Sequence, residues 1–163
     1  MDLELEKKTA IVTGGSQGIG YEIALSLAEE GANIVIADTN TGAFDEVVRK
    51  LESKGVKAAA IETDVSDGES VKYMVKEAVE RFGRIDVLIN NAGIGVSFPL
   101  LTHDESAWER ILDVNLNGVF LCTREVRLLW SHKEVVGVSS IFPLSSEGEV
   151  SQKWVHTLHP NLG

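Results

Sequence analysis

Short apolar segments alternate along the chain with longer segments in which apolar residues recur every three or four positions. Four of the short segments have the composition of buried strands: TAIVT, NIVIAD, AAAIETD and IDVLINNAG. The longer segments have the period of amphipathic helices and cover residues 18–30, 41–54, 68–82 and about 104–129. Strands that are apolar on both faces and alternate with helices predict an α/β fold with a doubly wound parallel sheet.

Three glycines follow the first three helical segments. Gly31, Gly55 and Gly83 stand where each helix must end before the next strand begins. Glycine readily adopts the left-handed backbone conformation that commonly ends a helix. We therefore expect positive φ angles at these three positions.

The segment TGGSQGIG, residues 13–20, lies between the first strand and the first helix. In a doubly wound sheet this is the place of a phosphate-binding turn, because the helix N-terminus attracts anions. We expect Gly14 and Gly15 to allow a tight turn, and Gly18 and Gly20 to let backbone N–H groups approach a pyrophosphate. A glycine-rich turn without a ligand is the alternative interpretation.

Asp38 ends the second strand, 18 residues after Gly20. An acidic side chain at this place can accept hydrogen bonds from an adenosine ribose and repel a 2′-phosphate. The sequence therefore predicts a dinucleotide site that prefers NAD to NADP. A solvated carboxylate at the end of a strand is the simpler alternative.

Composition narrows the class of protein. The chain has 163 residues and a formal net charge of −10, which disfavours a nucleic-acid or anionic-membrane surface. Its single cysteine, Cys122, cannot form an internal disulfide. The N-terminal MDLELEKK lacks the apolar stretch of a signal peptide, and no apolar run is long enough to span a bilayer. We expect a soluble, cytoplasmic protein with a small-molecule partner.

Together these features resemble the short-chain dehydrogenase/reductase family. The glycine spacing is that of the family's Thr-Gly-x-x-x-Gly-x-Gly motif. Further family motifs match Asp64-Val65 after the third strand, Asn90-Asn91-Ala92-Gly93 after the fourth, and Asp113-Val114-Asn115 in the following helix. The resemblance covers about residues 5–126 and implies the N-terminal part of a Rossmann-like domain, which is incomplete here.

The resemblance also implies roles for individual residues. In the family, the Asp-Val pair contacts the adenine end of the cofactor, the Asn-Asn-Ala-Gly turn supports the central strand, and NADP-using members often carry an arginine in the glycine-rich turn. Asn115 matches the asparagine of the catalytic tetrad, which holds a proton-relay water. The residues implied in NAD binding are Gly14, Ser16, Gln17, Gly18, Ile19, Gly20, Asp38, Asp64, Val65, Asn91, Ala92 and Gly93.

The family's other catalytic residues have no match in this sequence. The family uses a tyrosine as general acid/base, a lysine four residues later that lowers the pKa of that tyrosine, and a serine thirteen residues before it. The tyrosines here are Tyr21 and Tyr73, and neither has a lysine four positions later. The family's reaction is hydride transfer between NAD(H) and a secondary alcohol or ketone, and we do not expect it from this chain alone. A non-catalytic nucleotide-binding fragment is the competing interpretation.

The sequence changes character near its C-terminal end. After Trp130 there is no alanine, aspartate or arginine, although three of the four histidines lie there. If the codons of residues 141–144 and 156–161 are displaced by one base, they permit Asn-Ile-Ser-Ser and Tyr-Thr-Ala-Ser-Lys, with the family's spacings between serine, tyrosine and lysine. We therefore interpret residues 127–163 as an out-of-frame tail, and residues 1–126 as the dinucleotide-binding region. A naturally divergent tail is the alternative.

This interpretation has structural consequences. The fourth strand would lie unpaired at an apolar edge of the sheet, and the long helix would expose a face that relatives bury in homo-oligomers. We expect poor solubility or partial order beyond about residue 130. The histidines of the tail, His132, His156 and His159, are not expected to bind a metal.

Overall fold

The computed structural model describes residues 4–95 and 104–129, and the backbone alone of residues 137–140 and 155–156. The strands are β1 (Thr9–Thr13), β2 (Asn33–Asp38), β3 (Ala58–Glu62), β4 (Val87–Asn90), β5 (Gly137–Ser140) and β6 (Val155–His156). The helices are α1 (Gly18–Glu29), α2 (Phe44–Glu52), α3 (Gly68–Phe82), α4 (Glu105–Leu112) and α5 (Gly118–Leu129). A 3-10 turn, Thr41–Ala43, precedes α2, and a π-helical turn, Asp113–Asn117, joins α4 to α5.

The strands of the described part form one sheet in the order β3-β2-β1-β4-β5-β6. All neighbouring strands are parallel except β5 and β6, which are antiparallel. The predicted doubly wound parallel sheet is therefore confirmed. The chain first adds strands on one side of β1 and then places β4 on its other side. In such sheets a crevice opens where the order reverses, here between the carboxyl ends of β1 and β4.

β4 is not the edge strand that the sequence interpretation predicted. The backbone of β5 pairs with it in parallel, from Gly137 opposite Val87 to Ser140 opposite Asn90. Pairing between strands joins backbone groups, so β5 can supply hydrogen-bond partners to the backbone N–H and C=O groups on this side of β4 whatever its side chains are. The prediction of partial order beyond residue 130 concerns residues that lie mostly outside the described part.

Side chains of the sheet pack into helices on both faces. Ile11, Val35 and Leu88 contact residues of α3 and α5 on one face. Their neighbours along the strands point the other way, because side chains alternate across a strand. On that second face, Val12 and Ile36 pack with residues of α1 and α2. Each fully buried side chain of this size contributes about 1.5–3 kcal/mol to folding. The two layers therefore hold the strands, and with them the carboxyl ends that border the crevice, in place.

The long helix predicted over about residues 104–129 is interrupted by the π-helical turn. Its side chains nevertheless form rows whose members are four residues apart, and these rows differ in burial. Val114, Gly118, Cys122 and Val126 are buried, whereas an opposite row is exposed and apolar: Trp108, Leu112, Leu116 and Phe120. The exposed face that the sequence predicted is thus present. In residues 4–95 and 104–129, none of the helices has both the length and the apolar character needed to cross a membrane.

The glycines predicted to end helices have the expected backbone conformation. Gly31, Gly55 and Gly83 have φ angles of 86°, 87° and 78°. Gly83 is the C-cap of α3, and its N–H donates to the carbonyl of Val79. These positions therefore favour glycine, because glycine adopts the left-handed conformation without the steric cost of a Cβ atom.

Candidate functional site

A groove of about 390 Å³ lies at the carboxyl ends of the strands, beside the first turn of α1. The structure brings eleven of the twelve predicted cofactor-binding residues together around it. The twelfth, Ser16, is only 5% exposed and lies behind the groove wall. The eleven lining residues are Gly14, Gln17, Gly18, Ile19, Gly20, Asp38, Asp64, Val65, Asn91, Ala92 and Gly93.

The N-terminus of α1 faces this groove without a capping side chain. Gln17 is the N-cap residue and its side chain makes no capping hydrogen bond, and the first turn contains no acidic residue. Gly18 has a φ angle of 55°, and no atom lies within 4 Å of the place that a Cβ atom would take. The first N–H groups of a helix have no partner inside the helix and favour an anion. The turn can therefore hold a phosphate group.

Gly20 has a packing role that the sequence pattern does not indicate. A Cβ atom here would lie 2.2 Å from the carbonyl oxygen of Gly14 and 2.3 Å from the side-chain nitrogen of Asn91. Both distances are far below van der Waals contact. Gly20 thus lets α1 approach the turns after β1 and β4, and it also lines the groove.

Thr13 and Asn91 hold the turns after β1 and β4 together. The Thr13 hydroxyl oxygen accepts hydrogen bonds from the N–H groups of Asn91 and Ala92, both at 3.0 Å. The same hydroxyl donates to the carbonyl of Ile89. In return, the Asn91 amide donates to the carbonyls of Thr13 and Gly14 at 3.0 Å. All these groups are uncharged, so the contact between the two turns itself places no charge beside the groove.

Asp38 lies at the end of β2 and is oriented by the glycine-rich turn. Its Oδ2 atom accepts hydrogen bonds from the Ser16 N–H at 3.0 Å and the Ser16 hydroxyl at 2.7 Å. Its Oδ1 atom accepts from the Asn40 N–H at 3.0 Å. Oδ1 retains acceptor capacity for a ligand hydroxyl. Ser16 therefore acts through Asp38 and not by lining the groove.

Asp64 is held by a cluster that includes a residue absent from the sequence prediction, Arg110. The Asp64 carboxylate accepts hydrogen bonds from both the N–H and the hydroxyl of Ser66. It also forms an ion pair with Arg110, whose Nη2 atom lies 3.1 Å from Asp64 Oδ2. Partial burial raises the pKa of Asp64, but the bonds from Ser66 and Arg110 outweigh it and lower that pKa below its ordinary value. One sequence signal could have indicated Arg110: it lies one helical turn before Val114, which belongs to the motif Asp113-Val114-Asn115.

Asn115 lies in the π-helical turn and bonds to the loop after β4. Its side-chain oxygen accepts from the Ile94 N–H at 2.8 Å, and its side-chain nitrogen donates to the Ile94 carbonyl at 2.9 Å. Ile94 lines the groove, whereas Asn115 does not. The predicted catalytic asparagine therefore lies behind the groove lining and is connected to it through Ile94.

The ionisable groups that line the groove are Asp38, Asp64 and Arg110. Within the described residues, no tyrosine or lysine lines it: Tyr21 lies on α1 and Tyr73 lies exposed on α3. The described lining of the groove therefore contains two carboxylates and one guanidinium, and it offers no phenol to transfer a proton.

Comparisons with known proteins cover most of the chain. Residues 8–151 match the family model described as short chain dehydrogenase, so the match extends past residue 126. The 3-oxoacyl-acyl-carrier-protein reductase of Staphylococcus epidermidis is 46% identical over 122 residues, which are 73% of this chain and 49% of the relative. An uncharacterized oxidoreductase of Thermotoga maritima is 42% identical over 120 residues, 74% of this chain and 47% of the relative. The chain thus spans about half the length of these curated relatives.

Solved structures of other proteins share the fold. NAD⁺-bound xylitol dehydrogenase superposes with a TM-score of 0.80 at 32% identity, over 84% of this chain and 53% of that one. A short-chain type dehydrogenase/reductase from Mycobacterium marinum superposes with a TM-score of 0.73 at 33% identity, over 77% of this chain and 52% of that one.

Proposed function

Since the chain belongs to the short-chain dehydrogenase/reductase family, we propose that its groove binds NAD(H) and that the residues present supply the cofactor-binding part of an oxidoreductase. One observation carries this proposal: the uncapped N-terminus of α1 and the Asp38 carboxylate line the same groove. An anion site next to a carboxylate at the end of the second strand suits a pyrophosphate joined to a ribose.

The lining residues divide by the part of the cofactor that they would contact. Gly14, Gln17, Gly18, Ile19 and Gly20 form the turn for the pyrophosphate. Asp38 would accept hydrogen bonds from the adenosine ribose, and Asp64 and Val65 would contact the adenine. The turn Asn91-Ala92-Gly93 would lie beside the nicotinamide half, with Asn115 behind it. The family's cofactor supplies hydride transfer when it is bound.

Asp38 also supports NAD over NADP. Its carboxylate is held at the groove by Ser16 and Asn40. A 2′-phosphate on the adenosine ribose would bring further negative charge close to this carboxylate, and like charges repel. The glycine-rich turn contains Ser16 and Gln17 and no arginine that could neutralise such a phosphate.

The reaction proposed for the intact family site is hydride transfer between NAD(H) and a small-molecule secondary alcohol or ketone. The residues of this chain bind and orient the cofactor, but the sequence contains no Tyr-x-x-x-Lys to move the proton. We therefore propose binding without turnover, and assign no role to nucleic acid, membrane or metal. Homo-oligomers are a property implied for relatives, and the exposed apolar row on α4 and α5 would be the face concerned.

The tail beyond residue 126 is proposed to be read one base out of frame, with the shift between about Glu125 and Trp130. The codons of residues 141–144 and 156–161, displaced by one base, support this proposal. Sequencing the nucleotides around codons 125–130 tests it directly. A frame that opens Tyr-x-x-x-Lys after restoring one base is the expected result, and its absence would leave a naturally divergent tail.

A titration combined with a turnover assay separates the two candidate functions. The purified chain is titrated with NAD and NADH by calorimetry and then assayed with a panel of ketones and secondary alcohols. Binding with no turnover supports a non-catalytic nucleotide-binding fragment. Turnover would show that a proton donor exists outside the groove as described, and a failure to bind either nucleotide would contradict the whole assignment.

A further inference from the structure

We propose that Arg110 is a positioning residue for the adenine end of the groove. By holding the Asp64 carboxylate and the Ser66 hydroxyl together, it leaves one acceptor position of Asp64 open for a ligand amino group, and so makes the groove prefer adenine to a 6-oxopurine. This inference rests on the proposed function of the groove as a nucleotide site.

Arg110 joins two elements that are distant in sequence. Its Nη2 atom lies 3.1 Å from Asp64 Oδ2, and its Nη1 atom donates to the Ser66 hydroxyl oxygen at 2.5 Å. Arg110 is on α4, while Asp64 and Ser66 follow β3. A planar guanidinium with several fixed donors can hold two acceptors in one geometry, whereas the ammonium group of lysine is a single point of charge.

The acceptor positions of Asp64 are nearly filled. Oδ1 accepts from the Ser66 N–H at 3.0 Å and from the Ser66 hydroxyl at 2.6 Å, and Oδ2 accepts from Arg110. An ionised carboxylate has about four acceptor positions, so one remains on Oδ2. The Asp64 N–H donates to the Ser70 hydroxyl at 3.0 Å, which fixes the backbone beneath the carboxylate.

The open acceptor position on Asp64 favours a ligand that carries a hydrogen-bond donor. The 6-amino group of adenine can donate a hydrogen bond to it, whereas the 6-oxo group of hypoxanthine presents lone pairs to a negative charge. Sites built around a buried or fixed polar group reject analogues that cannot pair with it more strongly than apolar pockets reject a change of shape. The preference therefore depends on how firmly Asp64 is oriented.

The ion pair itself contributes little to folding. The side chains of Arg110 and Asp64 are 51% and 38% exposed, and ion pairs at such exposure are screened by solvent. Removing Arg110 should therefore disturb the orientation of Asp64 more than the stability of the chain. This separation makes the inference testable.

The experiment compares adenosine 5′-monophosphate with inosine 5′-monophosphate by calorimetry. Wild type, R110M, R110K and the control R49M are measured, each with its melting temperature. Arg49 is on α2 and does not line the groove, so R49M removes an equal charge elsewhere. We expect R110M to weaken binding of the adenosine nucleotide about fivefold and that of the inosine nucleotide less than twofold. R110K should recover part of the preference, and R49M should match wild type.

Other results contradict the inference. If R110M weakens the binding of both nucleotides equally, so that their affinity ratio stays at the wild-type value, Arg110 has no role in base selection. If wild type binds neither nucleotide, the proposed function fails and this inference fails with it. Selective binding by wild type with an unchanged ratio in R110M would overturn the inference alone and leave the nucleotide site standing.

Discussion

β1 and β4 are joined at both of their ends, but by different chemistry. At the amino ends, the buried Asp86 carboxylate accepts a hydrogen bond from the Thr9 N–H at 2.9 Å and pairs with Arg84. At the carboxyl ends, Thr13 and Asn91 exchange hydrogen bonds between uncharged groups. The charged contact lies at the end of the sheet away from the groove, whereas the uncharged contact borders the groove.

The difference lies in whether the groups that join the two strands carry a charge. A charge between the walls of the crevice would act directly on a bound pyrophosphate, because few solvent molecules separate them. Asp86 is only 3% exposed and lies at the opposite edge of the sheet, where its charge is neutralised by Arg84. The same two strands can therefore be stabilised at one end and kept available for binding at the other.

The largest effect is expected from Gly20→Ala at the carboxyl end. The new Cβ would meet the Gly14 carbonyl and the Asn91 amide, so α1 or both turns must move. We expect a loss of about 3 kcal/mol in the free energy of unfolding and no measurable NAD binding. Urea unfolding and calorimetry check the two results.

Gly68→Ala is the matched control for this change. Gly68 also lies in the first turn of a helix, and the nearest atom to its Cβ position is 3.9 Å away. The control should be neutral or slightly stabilising, because alanine favours helices. A stable G20A variant that binds NAD would show that the close approach of α1 is not needed.

Asp86→Ala should separate stability from binding. It leaves the buried Thr9 N–H without its acceptor and Arg84 without its partner, which should cost about 2–3 kcal/mol. Because the amino ends lie away from the groove, the dissociation constant for NAD should change less than twofold. Asp86→Asn, which keeps one acceptor, should lose about half as much stability. Weaker NAD binding by D86A at a temperature where it is fully folded would break the distinction between the two ends.

Thr13→Val should lower stability and binding together. Valine keeps the shape of threonine but leaves the N–H groups of Asn91 and Ala92 without their acceptor. We expect a loss of about 2 kcal/mol in the free energy of unfolding and weaker NAD binding. Thr13→Ser restores the hydroxyl and should recover both quantities. Thermal melts and NAD titrations of the pair measure this, and recovery of only one quantity would show that the turn and the groove are not coupled through Thr13.

The strands and most helices could be predicted because their signal is local. β1 and β2 coincide with the apolar segments TAIVT and NIVIAD, since buried parallel strands are nearly continuous apolar runs. The segment IDVLINNAG was predicted as longer than the observed β4, because Asn91 to Gly93 leave the ladder to form the turn at the groove. The apolar period thus locates a strand but does not tell where its pairing ends.

The parts of the site that could not be predicted depend on contacts between distant residues. The π-helical turn leaves no mark in the apolar period, and Asn115 within it bonds to Ile94, 21 positions away. Arg110 reaches Asp64 across 46 positions. The packing role of Gly20 against Asn91 is of the same kind. Motif spacing indicated eleven of the residues that line the groove, whereas Arg110 and the hydrogen-bond partners of these residues required the fold.

Asp38→Asn gives the smallest expected effect and tests whether any charge at the groove selects the ligand. Asparagine keeps the shape of the side chain and removes the negative charge that would meet a 2′-phosphate. We expect NADP to bind about fivefold to tenfold more tightly, roughly 1 kcal/mol, while NAD changes less. Glu62→Gln is the control, because Glu62 ends β3 as an exposed carboxylate outside the groove lining. If both variants improve NADP binding equally, the preference reflects the net charge of −10 and not Asp38. If only D38N does so, and more strongly at low salt, the selecting charge lies on the β2 wall of the groove, and the uncharged contact between β1 and β4 leaves that selection undisturbed.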